Sequence, residues 1–251
     1  MTGTLLERSG LVPAILRFRH KRVLAEVRME DGSEATAHCT NTGTMRSCWE
    51  PGDPVLLQPA ADPSRKLKHT WLACRRGSCW VGVDTGVPNA VVAEAARRDV
   101  LPGCKGLHSV RTEVKYGEES SRIDVLAKDA DGRQVFIEVK NTTLNVDGLG
   151  CFPDAVSERG LKHLRELQHA VRQGHRAVIA FFIQRGDVAG FRAAGEVDPA
   201  YAAELQRAAA AGVEVLPLQV HLVPDRAEDG SWSLRWSLAG LLPWVGGRGG
   251  L

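Results

Sequence analysis

The sequence predicts a mixed α+β protein, a small N-terminal β-barrel followed by a C-terminal α/β domain, and three observations carry that expectation. Up to about Gly86, short apolar runs are broken by the turn signals MEDG, PGD and RRGS, with no helix-period stretch between them. From Pro88 onward helical periodicity alternates with β-branched runs. The chain has 251 residues, enough for two cores. The expected divisions are a barrel over 1–87, an α/β domain over 88–220 and a hairpin tail over 221–251.

The barrel strands are read in PAILRFRHKRVLAEVRMEDGSEATAH, PGDPVLLQPA and TWLACRRGSCWVGV. Asn89 is a candidate N-cap for AVVAEAARRD, where Val91, Val92 and Ala95 share a face and Pro102-Gly103 ends the helix. Three strands follow: SVRTEVKY, RIDVLAKD and QVFIEVKN. SERGLKHLRELQHAVRQG carries Leu161, Leu164, Leu167 and Val171 at helical spacing, with Gly174 as its stop. RAVIAFFIQ reads as a buried strand, Asp198-Pro199 opens a last helix, and GVEVLPLQVHLV returns to strand. In the tail, DRAEDGSW is a turn, and Trp232, Leu234 and Trp236 alternate onto one face.

A net charge of +2 gives no global field toward nucleic acid or membrane, so any basic surface must be local. Neither a signal-peptide pattern nor about 18 uncharged apolar residues in a row occurs, which points to a soluble cytoplasmic protein. The six cysteines form no CxxC pair and are expected as reduced thiols.

The stretch IDVLAKDADGRQVFIEVK places Asp124, Glu138 and Lys140 inside apolar runs. A three-residue Ala130-Asp131-Gly132 loop sets Asp129 against Arg133, and counting back along the hairpin puts Asp124 opposite Glu138. Lys140 shares the face of Glu138 by strand alternation. Two opposed carboxylates repel unless something offsets them. A Mg²⁺ or Mn²⁺ ion would do so, with Lys140 orienting a metal-bound water; so would a plain ion pair of Lys140 with either acid. A two-residue loop would instead throw Asp124 to the other face. Glu94 on the preceding helix is the preferred third acid. A four-residue GEES loop would bring Glu113 beside Asp124 as a further one.

An Asp followed by Glu-x-Lys on the next strand, in this order of elements, resembles the PD-(D/E)XK nuclease superfamily. The longer segments HCTNTGTM (38–45), TEVKYGEESSRIDVL (112–126), EVKNTTL (138–144) and FPDAVSERGLKHLREL (152–167) resemble the sugar fermentation stimulation protein family, SfsA. That resemblance implies an OB-like barrel joined to a nuclease-like domain. It also implies a DNA-binding protein linked to regulation of sugar, particularly maltose, metabolism, with metal-site roles for Asp124 and Glu138 and with Lys140 beside them. Thr40 and Asp84 depart from the family pattern, standing where Pro and Asn are expected.

RFRHKR interleaves Phe18 with Arg17, Arg19, Lys21 and Arg22, and SRKLKHTW brings Arg65, Lys66, Lys68 and Trp71. Basic side chains along a backbone with aromatics stacking on bases are a single-strand binding strategy; the alternative is that the aromatics are core and the charges merely solvated. Arg159 and Lys162 on the amphipathic helix are added as phosphate-facing candidates. His163 and His169 have no His or Cys partner at zinc spacing. The reading that results is a DNA-binding protein with a nuclease-like divalent-metal site. Its alternative is an active Mg²⁺- or Mn²⁺-dependent nuclease on DNA or RNA, so enzymatic turnover stays open, as does a homo-oligomer. A glycosidase is disfavoured because directly opposed strand positions bring the two carboxyls closer than glycoside hydrolysis needs.

Overall fold

The computed structural model describes residues 2–116 and 121–246; the GEES loop (117–120) and the last five residues lie outside the described residues. In chain order the strands of the first part are β1 (Leu6–His20), β2 (Leu24–Met29), β3 (Glu34–His38), β4 (Pro54–Pro59), β5 (His69–Arg76) and β6 (Cys79–Gly82). There follow α1 (Val87–Arg97), β7 (His108–Tyr116), β8 (Ser121–Lys128), β9 (Gln134–Asn141), β10 (Leu144–Val146), β11 (Leu149–Phe152) and α2 (Glu158–Arg172). The chain ends with β12 (Arg176–Ile183), β13 (Gly190–Ala193), α3 (Pro199–Ala210), β14 (Glu214–Arg226) and β15 (Trp232–Leu241).

The first five strands pair in the ring β1-β2-β3-β5-β4 and back to β1, every pair antiparallel except β3–β5. Inward residues such as Leu16, Val27, Val55, Leu57 and Trp71 fill it. This is the OB domain the sequence led us to expect. Trp71 is fully buried, with its indole Nε1 donating to the Ala73 carbonyl at 3.0 Å. It is core, which corrects the expectation that it stacks on bases.

β1 belongs to both parts. Its second half pairs with β2 and β4, while Leu6–Leu11 pair with β15 across a register break around the left-handed Gly10. β15 in turn pairs with β14, so the run expected as a tail is a central strand, and Leu234 and Trp236 are buried there. The sheet continues β14-β12-β9-β8-β7, with β12 parallel to both β9 and β14. α1 packs on one face against Val125, Ile137, Val178 and Leu218; α2 and α3 cover the other against Phe136, Ile179 and Phe181. β10, β11 and β13 form a small second sheet that the sequence did not announce, because strands of three and four residues are too short for alternation to register.

The helix starts follow the sequence closely in two cases. Ser157 caps α2 by accepting from the Gly160 amide at 3.0 Å, and Asp198 caps α3 by accepting from the Tyr201 amide at 2.9 Å. α1 differs: it begins at Val87 after Gly86, with Pro88 in its first turn and no side-chain cap, so Asn89 is already inside the helix and its amide is left to act elsewhere.

The two parts are keyed together by buried polar groups. Thr44 Oγ1 and the Met45 amide both donate to Asp154 Oδ2 at 3.2 Å, and Gly43 leaves the room: a Cβ there would lie 2.4 Å from the same oxygen. Arg185, only 2% exposed, donates to Ser47, to the Thr143 carbonyl and to Asp187. Gln184 accepts from the Trp236 indole, donates to Asn141 and fills the space beside Gly82. The two positions that depart from the family pattern meet each other, Thr40 Oγ1 donating to Asp84 Oδ1 at 2.8 Å.

Candidate functional site

The β8–β9 hairpin that carries the acids is built by its turn. Asp129 Oδ1 accepts from the Asp131 and Arg133 amides, the Gly132 amide donates to the Asp129 carbonyl, and Gly132 has φ 80°, a conformation that favours glycine. The pairs Lys128↔Gln134 to Val125↔Ile137 follow, and one further step in this register sets Asp124 across from Glu138. The ladder stops there, and the Asp124 carboxylate takes over as acceptor: Oδ2 receives the Val139 amide at 2.7 Å and Oδ1 receives Asn89 Nδ2 at 2.8 Å.

Glu138 is only 2% exposed. Its Oε1 receives Lys140 Nζ at 2.6 Å and also contacts His163 Nδ1. Its Oε2 is buried with no hydrogen-bond partner among the described residues. On the far side of the imidazole, Arg159 Nε donates to His163 Nε2 at 3.3 Å. A guanidinium can only donate and the Glu138 carboxylate can only accept, so the neutral tautomer that satisfies both contacts has its lone pair on Nε2 and its proton on Nδ1.

The two acids are pushed apart in acidity. Burial raises the Asp124 carboxyl, and the nearby Glu138 charge adds to this, reaching about 6 against the pull of the Val139 amide, Lys140 and Asn89. For Glu138 burial also acts upward, but Lys140 and His163 outweigh it and hold the group below its ordinary value. The Tyr116 phenol is pushed up by burial and then by the charges of Glu138, Glu166 and Asp124, which marks this corner of the molecule as negative. Paired acids of divergent acidity in a buried setting are a common arrangement for metal binding or acid–base work.

The other candidate acids divide. Glu113 is brought to the site: it falls between the pairs Thr112↔Val125 and Val114↔Ile123, at the register position across from Asp124, its backbone has a left-handed φ of 54°, and its Oε1 receives the other Asn89 Nδ2 proton at 3.1 Å. Glu94 is not brought there; it is held by Arg98 at 2.6 Å and Arg97 at 3.7 Å, and Arg98 also donates to the Thr4 carbonyl. Among the described residues no group of three or more His, Cys, Asp or Glu side chains is placed to hold a metal, so a cation here would rest on two carboxylates and water.

On the barrel, Phe18 is 48% exposed, with His20 beside it at 5.6 Å between ring centroids. Lys21 and Arg22 are exposed on a turn with φ of 49° and 61°, and Lys66 is exposed on the β4–β5 connection. Arg17 is exposed but ion-paired with Glu34. Arg19 is a clamp, donating to the Arg22, Asn41 and Gly43 carbonyls. Arg65 donates to Thr70 Oγ1 at 3.0 Å and Lys68 to the Pro63 carbonyl at 2.5 Å. Arg159 is exposed at the start of α2, and Lys162 is half-buried on the same helix. Asn89 and His163 are the residues that sequence reasoning did not assign to the site.

Comparison with known proteins fits this architecture. Residues 18–83 match the family model described as the SfsA N-terminal OB domain, and residues 86–226 match the sugar fermentation stimulation protein RE domain. A sugar fermentation stimulation protein homolog of Geotalea uraniireducens is 46% identical over 215 residues, covering 86% of this chain and 92% of that protein. One from Shewanella baltica is likewise 46% identical over 215 residues, covering 85% and 92%. The solved structure of Pyrococcus furiosus SfsA in complex with Ca²⁺ matches with a TM-score of 0.83 at 28% identity, over 97% of this chain and 99% of that one. The chain belongs to the sugar fermentation stimulation protein (SfsA) family.

Proposed function

We propose that this protein binds DNA and carries a divalent-cation site on Asp124 and Glu138, with Glu113 as the acid nearest to joining them. The observation that carries the reading is Glu138 Oε2, a carboxylate oxygen buried without a donor beside a second acid. A buried carboxylate oxygen left unpaired is unfavourable by a few kcal/mol, so such a position calls for a ligand. Carboxylate oxygens suit Mg²⁺, Mn²⁺ or Ca²⁺, and Mg²⁺ is commonly held by one or two carboxylates with water completing its shell. That the Pyrococcus furiosus relative was solved with Ca²⁺ supports the same chemistry here.

For DNA the support is the exposed Phe18 close in sequence to Arg17, Lys21 and Arg22, with Lys66 also exposed, on an OB domain, a fold whose exposed aromatics stack on bases while basic groups track the backbone. The family name points to sugar fermentation, and regulation of sugar metabolism in the cytoplasm is the proposed setting. Calorimetry with MgCl₂, MnCl₂ and CaCl₂, alongside gel shifts on single- and double-stranded DNA at two salt concentrations, tests both halves. The expected results are cation binding that Glu138→Ala abolishes and DNA affinity that falls steeply with salt. No cation uptake, or DNA binding indifferent to salt, would overturn the respective half.

The Lys140 ammonium at 2.6 Å from Glu138 favours a second reading, hydrolysis of phosphodiester bonds. When bound, a divalent cation would lower the pKa of water and neutralise phosphate charge. Lys140 would orient the attacking water, and Asn89 would hold Asp124 in place. Incubation of labelled DNA and RNA with Mg²⁺, Mn²⁺ or EDTA, beside Asp124→Ala and Lys140→Ala, decides it: metal-dependent cleavage lost in both variants is required.

A further inference from the structure

His163 is 5% exposed and reaches the acidic site from α2, an element separate in sequence from the hairpin that supplies the acids. Three contacts define its place. Its Nδ1 meets Glu138 Oε1, its Nε2 accepts from Arg159 Nε at 3.3 Å, and Lys140 Nζ lies 3.3 Å from Nδ1 while donating to the same Glu138 oxygen. Lys140 approaches Glu138 from the same strand and His163 from the helix above, so together they take up Oε1 and fix the plane of the carboxylate. Oε2 is then the oxygen left over.

We propose that His163 is a positioning residue of this site: its Nδ1–H, kept on that nitrogen by the Arg159 guanidinium, locks the Glu138 carboxylate so that Oε2 alone is presented to a divalent cation. The proposal deepens the cation-site reading and rests on it for the cation, though not for the tautomer. Arg159 is exposed apart from this contact, so the same side chain that would meet a phosphate also fixes the imidazole. Groups that orient a ligating side chain from behind commonly contribute 10- to 100-fold to metal affinity. Asn in place of His163 would present an amide donor close to the position of Nδ1–H, whereas Ala would present none.

The test has two arms on the full-length protein. In the first, ¹⁵N NMR of the His163 ring in metal-free protein reads the tautomer. The expected result is a protonated Nδ1 and an unprotonated Nε2, with that preference lost in Arg159→Ala; a protonated Nε2 with bare Nδ1 overturns the proposal whether or not any metal binds. In the second, the dissociation constant for Mn²⁺ is measured calorimetrically for the wild type, His163→Ala and His163→Asn, with thermal unfolding followed in parallel. His163→Ala should weaken Mn²⁺ binding by roughly tenfold or more, and His163→Asn should recover most of that loss even if both variants melt earlier. Wild-type affinity in His163→Ala overturns the proposal, and equal weakening in both variants does so as well. Absence of Mn²⁺ binding in the wild type would remove the cation-site reading instead, leaving the tautomer to decide whether His163 holds Glu138.

Discussion

In the acidic site Glu138, Lys140 and His163 lie inside the protein and are bonded to one another, whereas on the barrel Phe18, Lys21, Arg22 and Lys66 all stand in water. The same residue types therefore carry different weight in the two regions. Inside, each charge depends on its neighbour for stability, and removing one strands the other. Outside, solvent screens each charge, and its removal is nearly silent for the fold. Folding free energy and binding free energy should thus separate cleanly between the two regions, and the comparison breaks if they do not.

The largest separation is expected at Lys140. Lys140→Ala leaves Glu138 buried with only His163 against it, and denaturant unfolding should show a loss on the order of 3–5 kcal/mol. Pairing Lys140→Met with Glu138→Leu should recover much of that loss, because apolar replacement of a whole buried pair is often neutral. If the double variant recovers stability, the charges are kept for chemistry rather than for folding. If Lys140→Ala unfolds at wild-type denaturant concentrations, the buried site is less coupled than its geometry implies.

Acidity sharpens the contrast next. Asp124 is raised to about 6 in the folded protein from an ordinary 3.8, so the folded state holds this proton more tightly than the unfolded chain does. Its contribution to stability is therefore full below about pH 4 and is lost as the pH rises through 6, with a magnitude on the order of 3 kcal/mol. Glu138 works with the opposite sign: held below its ordinary 4.5, it contributes stability that is lost as the solution is acidified below that range. Urea unfolding of wild type and Asp124→Asn in EDTA from pH 4 to 7 isolates the first effect. The wild type should weaken relative to the variant as the pH rises, and a constant difference would sink this assignment.

How much of this could be read in the sequence depends on how local the signal is. The DADG turn is local chemistry, and it sufficed to set the register that brings Asp124 to Glu138. The caps at Ser157 and Asp198 are local in the same way. His163 was legible only in part. The buried residues of α2 run Gly160, His163, Leu164, Leu167, Ala170, so His163 lies on the buried stripe, which the leucine spacing alone does not mark. Asn89 was misplaced because the helix starts three residues earlier than its capping pattern suggests, with Pro88 in the first turn. Glu94 failed for a non-local reason: which face of α1 meets the acids is decided by packing against the sheet, and that packing leaves Glu94 with Arg97 and Arg98. Trp71 and Phe18 look alike in sequence, each an aromatic beside basic residues. Only closure of the barrel distinguishes them, taking Trp71 inside and leaving Phe18 out.

That last pair gives the finest test of the contrast. Phe18→Ala removes an exposed ring whose nearest aromatic neighbour is His20 at 5.6 Å, so unfolding free energy should move by less than about 0.5 kcal/mol. If the barrel face binds single-stranded DNA by stacking, the same change should weaken binding by roughly 1–3 kcal/mol, measurable as a drop in affinity by fluorescence anisotropy on a labelled oligonucleotide. The salt dependence should stay as it is, because the ring carries no charge and releases no counterions. Lys66→Ala is the converse: affinity should fall at low salt, the loss should shrink as salt rises, and the slope of affinity against salt should be shallower, as loss of one phosphate contact requires. An effect of Phe18→Ala on stability but not on DNA would place the ring in the fold and move the nucleic-acid surface off this face of the barrel.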